Sequence, residues 1–141
     1  MKLIELPLHS AVGRFFDEAE KNGFERREGQ IEMSREITQS IIDNRSLVVE
    51  AEVGIGKSLA YLVPLVLQFF RERRQIIIAT STISLQEQLE RDIKTVLEMI
   101  GVKTRIEVAK GMKNYICLKR LCSLSNEGKE FNNLFEVATV T

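Results

Sequence analysis

An α/β fold, a parallel sheet covered by helices on both faces, is what the sequence predicts, and three observations predict it. A short apolar run, Leu47-Val48-Val49, leads into a glycine loop ending in lysine and a hydroxyl residue, Ala51-Glu52-Val53-Gly54-Ile55-Gly56-Lys57-Ser58. After it, helical and strand-like stretches alternate: a helix from Lys57 to about Arg74, a nearly continuous apolar run over Gln75 to Thr80, a helix around Leu85 to Ile100, and an alternating run over Thr104 to Ala109. Strands alternating with helices of this length make right-handed βαβ units with parallel strands. The glycine loop then falls at the carboxyl end of the first strand, where open α/β sheets bind ligands.

The chain of 141 residues is the size of one domain and can bury a single core. Twenty basic residues balance twenty acidic ones, so net charge argues neither for nor against a nucleic-acid partner. No apolar run approaches the ~18 residues that cross a bilayer, and Met1 to His9 carries an acid inside its apolar stretch. A cytoplasmic protein without membrane contact is therefore expected. Two cysteines, Cys117 and Cys122, suit free thiols or metal ligands better than a disulfide framework.

In chain order, residues 10 to 22 read as a helix with Ser10 as N-cap, Phe15, Phe16 and Ala19 as apolar contacts, and Gly23 just past the end. Its Asp17-Glu18-Ala19-Glu20 run has the composition of a metal site but lies on a polar helix face before the loop, and reads as solvated. A second helix is expected from Ile31 to Asp43, with Met33, Ile37 and Ile41 on one stripe and Asn44 as C-cap. Just ahead of it stand Phe24, Arg27 and Gln30. Phe24 and Gln30 have an ordinary reading as a core residue and a helix-start amide. Their place one helix upstream of the loop opens a second, in which an aromatic stacks on a purine and an amide pairs with its edge. Pro64 falls too deep in the third helix for a first-turn proline and should bend it. Ser84-Leu85-Gln86-Glu87 matches a capping box for the fourth helix, which Gly101 stops.

The loop carries the chemistry. Gly54 and Gly56 let the chain curl so that backbone N–H groups around Ile55 can face an anion, Lys57 adds a fixed positive charge, and Ser58 offers a hydroxyl of the kind that holds magnesium beside phosphates. The full G-x-x-x-x-G-K-[ST] pattern fails at one place, where Ala51 stands for the first glycine. At the end of the second predicted strand, Thr80, Ser81, Thr82 and Gln86 supply short hydroxyls and an amide. Such groups either cap a helix or hold a nucleic-acid backbone without reading bases. The segment Lys110 to Arg120 carries four positive charges, and no acid occurs between Glu107 and Glu127. That asymmetry suits phosphates, with Lys110, Asn114 and Tyr115 as the contact residues. Cys117 and Cys122 lie in or beside it, as structural thiols or as part of an iron–sulfur site that would need further ligands.

Four segments in this order resemble the DinG-type helicases of the XPD/DinG branch of superfamily 2. Phe24-Glu25-Arg26-Arg27-Glu28-Gly29-Gln30 resembles the R-x-x-Q segment, which implies Arg27 and Gln30 near adenine. Ala51 to Ser58 resembles motif I, where alanine is normal at the first position and Glu52, Val53 and Ile55 are the departures. Ala79 to Leu89 resembles motif Ia, which implies contact with single-stranded DNA. Lys110-Gly111-Met112-Lys113-Asn114-Tyr115-Ile116-Cys117 resembles K-G-R-x-N-Y-x-C, whose cysteine is the first ligand of a 4Fe–4S cluster that some relatives lack. The resemblance runs from about Phe15 to Leu121. It implies a RecA-like three-layer sandwich, with ATP and Mg2+ as cofactors, Lys57 and Ser58 as catalytic phosphate and magnesium residues, and Cys117 as a cluster ligand in the full-length protein. The implied organisation is an N-terminal helix over residues 1–23, the first part of an ATP-binding motor domain over 24–109, and the start of an iron–sulfur-type insertion over 110–141.

No D-E-x-H strand, second motor domain or arginine finger is present, so the piece is expected to be a truncated first motor domain, inactive alone. The full-length protein would be a monomeric ATP-dependent DNA helicase working on single-stranded or forked DNA, in keeping with DNA repair. Two other readings stand beside it: another P-loop NTPase, such as a nucleotide kinase or regulatory ATPase, and a non-enzymatic fragment that binds DNA through the basic segment.

Overall fold

The computed structural model describes residues 2–119 and 121. Two compact units are present, Met1–Val108 and Ala109–Thr141. The first contains four α-helices among the described residues, α1 (Leu8–Lys21), α2 (Glu28–Ile42), α3 (Lys57–Glu72) and α4 (Ile83–Ile100), after a short 3-10 turn at Leu3–Glu5.

Helix α1 is amphipathic at helical spacing, burying Leu8, Ala11, Val12, Phe15, Phe16 and Ala19. It starts after Pro7, earlier than the Ser10 cap predicts, because Pro7 presets the entry and Ser10 lies inside the helix. Its end follows the prediction. Gly23 takes φ +88°, its N–H donates to the Glu20 carbonyl at 3.0 Å, and the Phe24 N–H donates to the Ala19 carbonyl at 3.0 Å. This Schellman arrangement turns the chain so that Phe24 to Arg27 can pass toward α2. Helix α4 closes the same way at Gly101, with φ +76° and the Val102 N–H on the Leu97 carbonyl at 3.0 Å. Its N-cap is Thr82, whose hydroxyl accepts from the Leu85 N–H at 3.2 Å, so the cap falls two residues before the Ser84 box.

Helix α3 is the hub, packing against α1, α2 and α4. It buries Ala60, Leu62, Val63, Val66 and Leu67 together with Pro64, which sits inside the helix. Around it gather Phe15 and Phe16 of α1, Ile31 of α2, and Leu89, Val96 and Leu97 of α4. Each such side chain taken from water contributes about 1.5–3 kcal/mol before conformational entropy is counted.

Helix α2 departs from its predicted face. Met33, Ile37 and Ile41 are only half-buried, whereas Gln30, Ile31, Ser34 and Thr38 are buried. The buried stripe is mostly small and polar, which lets α2 approach α3 closely. The Thr38 hydroxyl donates to the Ser34 carbonyl at 2.7 Å, within the helix.

The parallel sheet is the main correction. Among the described residues no strand forms, and residues 47–49, 75–80 and 104–109 run without regular secondary structure. A strand exists only through ladder bonds to a neighbour, and no such bonds join these segments. Val48 is 96% exposed and Ile77 84%, while Ile78 and Ile106 pack half-buried against the core, so these runs are covered on one side at most.

The second unit, over its described part, has a 3-10 turn at Met112–Asn114. No helix among the described residues is long and apolar enough to cross a membrane.

Candidate nucleotide site

The glycine loop leads directly into α3. Gly56 is the N-cap in the left-handed conformation, φ +83°, and Gly54 has φ +95°. Both positions suit glycine, since a side chain there would be strained. Gly56 is doubly constrained, because a Cβ would collide with the Gln30 amide nitrogen.

Side chains hold the loop through its carbonyl groups. Lys57 Nζ donates to the Ala51 carbonyl at 2.7 Å and to the Glu52 carbonyl at 2.6 Å. From the start of α2, Gln30 Nε2 donates to the Gly56 carbonyl at 2.8 Å and Arg27 Nη1 donates to the Gly54 carbonyl at 2.5 Å. Between these two contacts Ile55 packs over Gly29, where a Cβ would stand 3.5 Å from Ile55 Cδ1. Arg27 is itself oriented by Glu25, whose Oε2 accepts from Nε at 2.9 Å and Nη2 at 2.5 Å. A few residues at the start of α2 thus grip three consecutive loop residues.

Beside the loop lies a cavity of about 190 Å³ whose walls include Phe15, Phe24, Arg27, Gln30, Gly56 and Leu59. It is smaller than the ~300–1,000 Å³ of sites that enclose a drug-sized ligand. Its size and its aromatic and aliphatic walls suit a planar base, with a phosphate chain left over the loop. Gln30 is 6% exposed, and its Nε2 is engaged with a carbonyl that can only accept, so Oε1 is the amide's remaining acceptor. Phe24 is 41% exposed.

Ser58 lies in the first turn of α3, half-buried. Tyr61 follows one turn on in the same helix. Burial pushes the Tyr61 phenol up from its ordinary range, the bond with Ser58 pulls it back, and the nearby Asp92 charge pushes it further. Glu25 and Gly29, inside the R-x-x-Q-like segment but not singled out by it, and Leu59 and Met99, which no motif marked, also belong to the loop's surroundings or the cavity wall.

The other predicted residues divide between the two units. Thr82 caps α4, Thr80 and Gln86 are half-buried, and Ser81 is exposed. In the second unit the Lys110 N–H donates to the Tyr115 hydroxyl at 3.0 Å and Asn114 Nδ2 to the Gly111 carbonyl at 3.2 Å, so these three residues shape one short turn. Asp17 and Glu20 face Arg26 at 3.6 and 3.3 Å, and Glu18 pairs with Arg14 at 2.8 Å, all at the surface, as a solvated face requires.

For an iron–sulfur cluster the fit is poor. Among the described residues no three His, Cys, Asp or Glu side chains converge as a metal requires. Cys117 is a free, exposed thiol, and Cys122 lies outside the described residues.

A glycine loop running into a helix, with lysine and serine at its start and a base-sized cavity at its side, defines a P-loop nucleotide-binding protein. The DEAD/DEAH box helicase family matches residues 30–128, and the chain belongs to that family, whose fold is the RecA-like P-loop fold. It is 41% identical over 100 residues to the ATP-dependent DNA helicase YoaA of Escherichia coli (strain K12), covering 70% of this chain and 15% of that protein. It is 32% identical over 129 residues to the ATP-dependent helicase DinG of Mycobacterium tuberculosis (strain ATCC 25618 / H37Rv), covering 84% and 19%. A protein named 3'-5' exonuclease DinG in Bacillus subtilis (strain 168) is 31% identical over 106 residues, covering 74% and 11%. The chain therefore spans less than a fifth of the length of these relatives. No solved structure matches it.

Proposed function

We propose that the chain supplies the nucleotide-gripping part of the first motor domain of an ATP-dependent DNA helicase. The observation that carries this reading is the convergence of Arg27, Gln30 and Lys57 on the backbone of one glycine loop beside a base-sized cavity. Adenine enters the cavity against Phe24, and the Gln30 Oε1 accepts from its exocyclic amine. Guanine would present a carbonyl oxygen to that same acceptor, so the site favours ATP. The phosphates lie over Gly54 to Ser58, taking the Lys57 charge and the N-terminal end of the α3 dipole. Ser58 would hold magnesium, which neutralises phosphate charge when bound.

In the whole protein, residues 24–109 belong to a three-layer sandwich, following the N-terminal helix of residues 1–23 and preceding an insertion that begins at residue 110. Thr80, Ser81, Thr82 and Gln86 hold the backbone of single-stranded or forked DNA, and Lys110, Asn114 and Tyr115 contact phosphates of their own. The protein acts as a monomer in the cytoplasm. Titration of the 141-residue chain with a fluorescent ATP analogue tests the core of this reading. Binding should require magnesium and be competed by ATP better than by GTP, and Lys57→Ala should weaken it about tenfold or more. Equal binding by Lys57→Ala would refute it.

A further inference from the structure

Gly29 is the one glycine in the loop's surroundings whose backbone does not call for glycine. It lies in the first turn of α2 and is absent from the positive-φ positions, Gly23, Gly54, Gly56 and Gly101. What sets Gly29 apart is what packs over it. The Ile55 side chain lies directly over Gly29, with Cδ1, Cγ1 and Cγ2 at 3.5, 3.8 and 3.8 Å from where a Cβ would be, room for a methyl but not for a longer side chain. Ile55 is also one of the places where this loop departs from the motif it resembles, so an unusual branched side chain at the loop tip meets an unusual gap in the facing helix.

We propose that Gly29 is a positioning residue of the phosphate loop, its missing side chain forming the seat that receives Ile55. The seat lies between two polar contacts, Arg27 on the Gly54 carbonyl and Gln30 on the Gly56 carbonyl. Those bonds set the direction of two peptide groups, but each can be made by a side chain that swings with the loop. The apolar seat fixes how far the loop tip stands from α2, and so the separation of the cavity wall from the loop. A single methyl at Gly29 would meet Ile55 at ordinary contact distance and fit. A longer branched side chain would take the same volume as Ile55 and lift the loop. The effect on nucleotide rests on the reading of this loop as an ATP site, whereas the effect on the loop itself does not.

The experiment measures amide hydrogen exchange of the peptide spanning 51–58, and binding of a fluorescent ATP analogue, on the 141-residue chain. Gly29→Leu should speed loop exchange about tenfold and weaken the analogue about tenfold. Ile55→Ala, which empties the seat, should speed loop exchange in the same direction. The combined Gly29→Leu/Ile55→Ala variant should return both readouts to within about threefold of wild type, since it keeps the volume at the contact to within one methyl group. Exchange in the α3 peptide 62–70 reports whether each variant is folded, and should not change. If Gly29→Leu unfolds the chain, Ile55→Ala alone carries the test. Wild-type loop exchange in Ile55→Ala and in a folded Gly29→Leu, or no recovery in the combined variant, would overturn the proposal. If loop exchange follows this pattern while even the wild type fails to bind the analogue, the seat stands and the ATP reading falls.

Discussion

Replacing Gln30 by leucine isolates one bond at the centre of the site. The two side chains are nearly equal in size, so the packing around a residue 6% exposed is largely kept, while the donor and the acceptor are both removed. What is lost in the folded chain is the 2.8 Å bond from Nε2 to the Gly56 carbonyl. The carbonyl is not orphaned, because the Ala60 N–H still reaches it at 3.3 Å. The cost is therefore that of a net hydrogen bond, about 0.5–1.5 kcal/mol, and not the larger penalty of a buried group without a partner. Urea denaturation should show a lower midpoint with an unchanged slope. For binding, removing Oε1 deletes the group proposed to accept from the adenine amine, so the ratio of ATP to GTP affinity should fall roughly five- to tenfold in competition titrations. A variant as stable and as selective as wild type would refute the role given to Gln30. Lost stability with unchanged selectivity would leave Gln30 as a loop support that does not read the base.

Three more outcomes follow from the same geometry. Ser34→Ala should leave the chain as stable or raise its stability by up to ~1 kcal/mol, measured by thermal unfolding, because the Ser34 hydroxyl is fully buried with no hydrogen-bond partner among the described residues. Gly56→Ala should sharply weaken nucleotide binding and also lower the melting temperature, since the new methyl meets both a left-handed φ of +83° and the Gln30 amide; binding at wild-type strength would show that the loop is not held as described. The Glu28 carboxyl is held below its ordinary range, first by its hydrogen bond with Arg26 and then by the Arg26 charge. A depressed folded-state value contributes stability that is present above the ordinary glutamate range and lost as pH falls through the folded value, so Arg26→Gln should flatten the acid limb of a stability-versus-pH curve. An acid limb identical to wild type would remove that linkage.

The parts legible in the sequence were those governed by local chemistry. Gly23 and Gly101 announce helix ends because a left-handed residue is needed where a Schellman turn closes, and both adopt it. The start of α3 at Lys57 follows from Gly56 by the same logic. The face of α2 was not legible, because a stripe of Met33, Ile37 and Ile41 scores as apolar while Ser34 and Thr38 are chosen for smallness against α3. The expected strands do not form among the described residues, for a different reason. Apolar runs such as Gln75 to Thr80 show that a segment suits a sheet, but a strand is a property of two segments, and the run carries no information on whether its partner is beside it. In the site, the sequence placed Arg27 and Gln30 upstream of the loop and assigned them to adenine by resemblance. That both side chains hold loop carbonyl groups could be seen only once α2 and the loop were set side by side.

The loop carbonyl groups are held from two sides, and the two sets of contacts have different fates when phosphate arrives. In a trans peptide the carbonyl of one residue and the N–H of the next point in opposite directions. Arg27 and Gln30 draw the carbonyl groups of Gly54 and Gly56 toward α2, which turns the N–H groups of Ile55 and Lys57 away from α2. Those contacts would stay in place if an anion were bound there, as proposed. The Lys57 contacts are different, because the ammonium that bonds the Ala51 and Glu52 carbonyl groups is the charge a phosphate would recruit. In the proposed site, nucleotide binding would exchange neutral carbonyl partners of Lys57 for charged oxygens, which make shorter and roughly twice stronger bonds. Part of that gain offsets the two bonds given up. The outer grip by Arg27 and Gln30 then has a second consequence: by holding the loop when Lys57 lets go, it keeps the segment from Ala51 to Gly56 closed around the phosphates, so removing the outer grip should weaken binding even though neither Gly56 nor Gly54 changes.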